Sequence, residues 1–161
     1  MVGNVDAGKS TFIGSQLTGK LDNGRGSVRS AVLKHKHQLE TGRTSTISTY
    51  EVCLDENAQL VIAPTKTTTE GELVQTATRV VSFMDLAGRE KYMKTTIAGI
   101  SRGMADFALV LVNAKQHPNH MTMHHLKLCV AMNVPVIVIL TKVDRAPSEV
   151  FQNTKRQVRN T

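Results

Sequence analysis

Tryptophan is absent from the 161 residues, and only two tyrosines and four phenylalanines occur. The chain therefore lacks the interleaved aromatics that stack single-stranded bases, and direct base reading is not expected of it. Cysteine is equally scarce. Cys53 and Cys129 stand far apart with no CxxC partner, which reads as two reduced, buried thiols without chemistry of their own. No run of about 18 apolar residues is present for a membrane span. Met1 is followed by no charged-then-apolar leader, so neither insertion nor secretion is indicated and a cytoplasmic protein is the expectation. Acidic residues are outnumbered, 13 Asp and Glu against 20 Lys and Arg, for a net charge of +7. Such a balance favours polyanions such as nucleotides and RNA, with plain solubility as the alternative. A length of 161 residues at 40% hydrophobic composition fits one domain with a real core. It is expected to be monomeric, with neither DNA nor membrane as partner.

What is present is concentrated in Gly3 to Ser10, GNVDAGKS, with the spacing G-x-x-x-x-G-K-[ST]. A backbone that wraps a polyphosphate with its N–H groups turned inward needs glycine where Cβ atoms would intrude, and Gly8 is the clearest such position. Lys9 would put a point charge on the β- and γ-phosphates, and Ser10 would offer its hydroxyl to Mg²⁺. A helix opening at Ser10 would aim its positive end at the same anion. That helix is expected to run to Gly19, with Phe12, Ile13 and Leu17 on one face.

Only Met1 and Val2 precede the loop, where a buried strand of about five residues is expected; a fragment of a longer polypeptide is the preferred reading. Leu21 to Ser48 is rich in Arg25, Arg29, Lys34, Lys36 and Arg43, with a basic helix over Ser30 to Glu40 inside an otherwise solvated, mobile face. His35 and His37 are two apart, pointing in different directions on a helix. Tyr50 to Leu54 and Gln59 to Ala63 read as a hairpin around Asp55-Glu56-Asn57, and Thr65 to Gly71 as a surface loop. Arg79 to Met84, Ala105 to Val112 and Val134 to Leu140 are continuous apolar runs, the pattern of strands buried on both faces of a parallel sheet. Helices are expected over Lys91 to Arg102, Thr122 to Met132 and from Ser148 onward. Alternating strands and helices mean an α/β fold.

Three further signals follow the loop in order. Asp85 and Gly88 form D-x-x-G at a strand end, where a carboxylate can hold Mg²⁺ through water and a glycine N–H can sense a γ-phosphate. Thr44 lies in the mobile stretch, a hydroxyl that completes the Mg²⁺ shell only when a γ-phosphate is present. Thr141-Lys142-Val143-Asp144 closes the last apolar run as [NT]-K-x-D. Asp144 can accept from the N1–H and N2–H₂ donors of guanine while the Lys142 stem covers the base. Adenine has no such donor pair and would leave Asp144 unpaired.

Taken together, GNVDAGKS, GRTS, DLAG and TKVD resemble the motifs of translation-factor GTPases, the superfamily of elongation factor Tu. LDNGRG, HKHQLETGRTS, DLAGREKYMKTT and NVPVIVILTKVD are similar to the GTP-binding protein 1 and 2 family, across Val2 to about Asp144. The resemblance implies a Ras-like P-loop NTPase G domain, a mostly parallel sheet flanked by helices, here truncated at both ends, with the family's β-barrel domains beyond Thr161. It implies GTP and GDP as ligands with Mg²⁺, and ribosome, tRNA or other RNA as partners of the full-length protein. By that match Asn4, Val5, Asp6, Ala7, Gly8, Lys9, Ser10 and Thr11 cradle the phosphates with Gly88. Ser10 and Thr44 bind Mg²⁺ directly and Asp85 through water, and Thr141, Lys142 and Asp144 read guanine.

Three departures stand out. Arg89 follows DLAG where the family carries a water-orienting histidine; a guanidinium has five donors and no acceptor, so slow hydrolysis is expected. Thr141 replaces the more general Asn, as the close family also does. His117, His120, His124 and His125 crowd a segment that differs from relatives; a solvated loop is the expected reading, a metal the alternative. Two rivals to a GTPase remain: a non-catalytic nucleotide-binding switch, favoured by Arg89, and a basic RNA- or ribosome-binding module with a vestigial site, favoured by charge.

Overall fold

The computed structural model describes residues 1–32, 47–62, 68–103 and 105–160. The described parts of Met1–Lys9, Arg43–Ile47 and Asp85–Thr161 form one compact unit, and those of Ser10–Gly42 and Ser48–Met84 a second.

In the first unit the apolar run after Asp106 becomes β4, Ala108–Asn113, the middle strand of a parallel sheet. On one side lies β1, Val2–Gly3, in the register Val2 to Val110 and Gly3 to Leu111. On the other lies β5, Val136–Thr141, registered from Ala108 opposite Val136 to Asn113 opposite Thr141. Val110 and Leu111 are fully buried, as a strand with a neighbour on each side requires. The sheet order leaves β5 at an end, and Ile137 is 46% exposed. The expectation of burial on both faces therefore holds for β4 and not for β5.

Three helices belong to this unit: α3 (Met93–Arg102), α4 (His120–Ala131) and α5 (Ser148–Arg159). Asn119 caps α4, its side-chain oxygen accepting from Thr122 N at 3.0 Å. At the other end Asn133 adopts φ 54. Val134 N donates to Cys129 O and Asn133 N to Val130 O, the paired bonds of a Schellman ending that turns the chain into β5. The α3 helix approaches the Asp85–Gly88 segment through Gly99, where a Cβ would stand 2.5 Å from Leu86 Cδ2. The hydroxyl of buried Thr154 on α5 donates to Gln116 O at 3.2 Å.

The second unit carries most of α1 (Lys9–Thr18), a 3₁₀ turn Ser27–Ala31, β2 (Ser48–Leu54), α2 (Glu70–Thr76) and β3 (Arg79–Asp85), with β2 and β3 paired. The α1 helix starts at Lys9, one residue before the expected Ser10, and stops where Gly19 turns to φ 65. Phe12 meets Phe83 edge to face at 6.0 Å. Of the expected basic helix over Ser30 to Glu40, the described part is the end of the 3₁₀ turn; the rest lies outside the described residues.

Two expectations are corrected. Of the expected hairpin, the described residues show the turn and one antiparallel bridge, Leu54 to Leu60, with Val61 N donating to Cys53 O; Ala63 lies outside the described residues. Asp55 Oδ1 accepts from Asn57 N and Gln59 N at 2.9 and 2.8 Å and closes the turn, while β2 takes β3 as its partner. Of the expected loop Thr65 to Gly71, residues 65–67 lie outside the described residues, and its last two residues, Glu70 and Gly71, instead open α2. Thr69 and Glu72 form a reciprocal capping box there. On β3, Val80 and Val81 are 41% and 38% exposed, so a continuous apolar run does not here mean burial on both faces. Cys53 and Cys129 are both buried thiols outside any disulfide, as expected.

Candidate nucleotide-binding site

Parallel pairing of β1 with β4 aims Gly3 out of the sheet at its C-terminal end, and the chain turns at once. Ala7 N donates to Asn4 O at 3.3 Å. Asp6 and Gly8 take φ 60 and φ 91, and the turn runs into α1 at Lys9. Glycine is needed at Gly8 for its backbone angle: an added Cβ would meet only ordinary contacts, the nearest Thr141 Cγ2 at 3.7 Å.

Crowding lies instead at Gly88, where a Cβ would stand 2.5 Å from Gly3 O and 2.7 Å from Lys9 Nζ. The D-x-x-G segment is therefore seated directly on the start of the phosphate loop. Thr96 of α3 holds it there, its hydroxyl donating to Ala87 O at 2.9 Å. Sequence reading assigned Thr96 no role, although it ends the DLAGREKYMKTT stretch.

Lys9 is buried, its ammonium donating to Gly3 O at 2.9 Å and Asn4 O at 3.0 Å. Burial pushes the ammonium below its usual 10.5, while the carboxylates of Asp85 and Asp6 oppose the shift. Asp85, fully buried at the end of β3, thus works electrostatically on the loop's cation. An ammonium has three hydrogens, and two are spent on the loop's own carbonyls.

Thr141 ends β5 beside the loop. Its hydroxyl is 2.8 Å from Ala7 O and 3.3 Å from Val112 O. Geometry ties this residue to the phosphate loop, so the TKVD segment is linked to GNVDAGKS by a direct bond across 134 positions of sequence. Lys142 follows at φ 56 and, with Asp144, is exposed. Asp144 approaches the Arg145 Nε at 3.6 Å in a solvent-facing pair, of a kind that contributes little.

Among the remaining candidates, Asn4 and Val5 are half-buried in the loop, and Ser10 and Thr11 continue α1 in the second unit. Arg89 is half-buried and extended, at φ −88 and ψ 140. Thr44 lies outside the described residues, as do His35 and His37. The histidine segment splits. His120 and His124 are exposed on α4, whereas His125 is fully buried with neither ring nitrogen hydrogen-bonded. Burial, with Lys9 and His124 adding to it, pushes the His125 pKa down to about 4.

The whole of residues 1–161 matches the family model described as the elongation factor Tu GTP binding domain. Over 157 residues the chain is 41% identical to GTP-binding protein 1 of Xenopus laevis, covering 96% of this chain and 24% of that protein. Over 158 residues it is 37% identical to GTP-binding protein 2 of Mus musculus, covering 98% and 26%. The chain thus spans about a quarter of the length of these relatives. Among solved structures, translation elongation factor SelB of Methanococcus maripaludis, in complex with the GTP analogue GPPNHP, superposes with a TM-score of 0.62 at 18% identity. It covers 99% of this chain and 25% of the other, a likeness of fold.

Proposed function

The chain belongs to the family of elongation factor Tu GTP-binding domains, and from that premise we propose that it is a Mg²⁺-dependent molecular switch that binds GTP and hydrolyses it slowly. One observation carries the reading: Gly88 is packed on Gly3 and Lys9 while Thr141 is bonded to Ala7. The segment that senses a γ-phosphate and the segment that reads the base both bear on one phosphate loop.

In this reading the third Lys9 hydrogen and the loop N–H groups hold the phosphates, and the Gly88 N–H meets the terminal one. Asp144 accepts from guanine N1–H and N2–H₂, and the Lys142 stem covers the ring. The resemblance would assign Mg²⁺ to Ser10, Thr44 and Asp85, whose side chains all offer the oxygen a hard cation takes, and Asp85 is buried where its charge acts on Lys9. Bound there, Mg²⁺ would neutralise charge on the β- and γ-phosphates. Thr141 positions the loop, leaving base discrimination to Asp144. Arg89 supplies no acceptor for a water proton, which supports slow turnover and, in the limit, a non-catalytic switch. The net charge of +7 supports an RNA or ribosomal partner for the longer protein in the cytoplasm.

A fluorescent GTP analogue titrated into the protein in Mg²⁺, with GTP, GDP and ATP as competitors, tests the reading. Guanine-selective competition that is lost in Asp144→Asn is expected. Equal competition by ATP, or no binding by a folded chain, would overturn it.

A further inference from the structure

The histidines of α4 are unused by the nucleotide reading, and two of them share a helix face. His120 and His124 are four residues apart, both exposed, their ring centroids 6.3 Å apart at an interplanar angle of 79°. An i, i+4 histidine pair is the spacing by which a helix presents two imidazoles to one metal ion. Glu90, two residues after Gly88, brings a carboxylate to the same place: its Oε2 is 3.8 Å from His120 Nε2, with both side chains well exposed.

These separations can be compared with what a metal demands. Ligand atoms on bonds of about 2.0–2.2 Å at a tetrahedral angle stand about 3.3 Å apart, and two imidazole centroids about 5 Å apart. The His120–Glu90 separation exceeds the first by half an ångström and the two rings exceed the second by little more than one. Among the described residues no three such side chains converge as they stand. Exposed side chains close gaps of this size by small rotations within their rotamer wells.

We propose that His120, His124 and Glu90 form a surface site for a borderline divalent transition-metal ion of the Zn²⁺ class, with water completing the shell. Two imidazoles select against Mg²⁺ and Ca²⁺, which take oxygen ligands. Because Glu90 follows the D-x-x-G segment and both histidines belong to α4, an ion there clips that segment to the helix. None of its three ligands is assigned to the nucleotide, so its test needs no nucleotide.

Calorimetric titration of the protein with ZnCl₂ in excess Mg²⁺ is the experiment. One Zn²⁺ per chain is expected. His120→Ala and His124→Ala should each weaken it at least about tenfold, the least that losing a ligand does when losing an outer partner already does so much. Glu90→Gln should weaken it measurably, and His117→Ala, a neighbouring exposed histidine, should leave it unchanged, with circular dichroism confirming the fold of each variant. Absence of saturable binding, or wild-type affinity in the His120→Ala/His124→Ala double variant, overturns the site. Wild-type affinity in Glu90→Gln overturns its third ligand.

Discussion

Thr141 has one hydroxyl hydrogen and two carbonyls within reach, with Ala7 O the nearer at 2.8 Å. Thr141→Val keeps the shape and removes the donor, leaving the loop carbonyl without its partner. A bond of this kind contributes about 1 kcal/mol, so nucleotide affinity should fall about fivefold, read by titration of a fluorescent GTP analogue. Thr141→Ser should restore most of it; equal loss in both variants would mean that the methyl group, not the hydroxyl, matters. Arg89 presents the opposite case, a residue whose chemistry rather than position is at issue. Arg89→His replaces a donor-only group by one that can accept a hydrogen bond from water, and single-turnover phosphate release should speed up. An unchanged or slower rate would sink that account of Arg89. The motif residues themselves were legible in the sequence because their spacing is local. The contact of Gly88 with Lys9 was not, since it joins positions almost eighty apart, and neither was the bond from the Thr141 hydroxyl to Ala7 O.

At the scale of elements, α2 shows how a local signal can be present and overlooked. Thr69-Glu70-Gly71-Glu72 is a capping-box sequence, but it sits in a threonine-rich tract with no apolar periodicity, so composition spoke for a loop. Thr69 Oγ1 accepts from Glu72 N at 3.3 Å, and Glu72 Oε2 from Thr69 N at 2.7 Å. Only seven residues long, this helix leans on its cap. Thr69→Ala should cost it about 1 kcal/mol, and amide exchange at Leu73 and Ala77 should quicken about fivefold with little change in global stability. An unaltered exchange rate would show that packing, not the cap, holds α2. The strands divide along the same line. Apolar runs announced β3, β4 and β5, yet only β4 is buried throughout its middle, because burial depends on which strands flank a run. Of the second hairpin strand, the described residues keep the bridge of Leu60 to Leu54, beside a turn that Asp55 closes locally.

For the molecule as a whole, His125 is the residue through which acidity should act. It is fully buried, neither ring nitrogen is hydrogen-bonded, and its pKa is lowered from 6.5 to about 4. The folded state therefore holds the neutral ring, whereas the unfolded chain takes up a proton below about pH 6.5. Above that value the contribution to stability is complete; as pH falls it is lost progressively, until the folded protein too protonates near pH 4. A shift of this size corresponds to about 3 kcal/mol in full, and about 2 kcal/mol of it by pH 5. That is a large share of the 5–15 kcal/mol typical of a domain. His125→Leu removes both the titration and two unsatisfied nitrogens from the interior. Urea unfolding at pH 7 and pH 5 should show the parent losing about 2 kcal/mol more than the variant between the two, with the variant at least as stable at pH 7. Equal losses in the two proteins would mean that carboxylates elsewhere, not His125, set the acid limit of this fold.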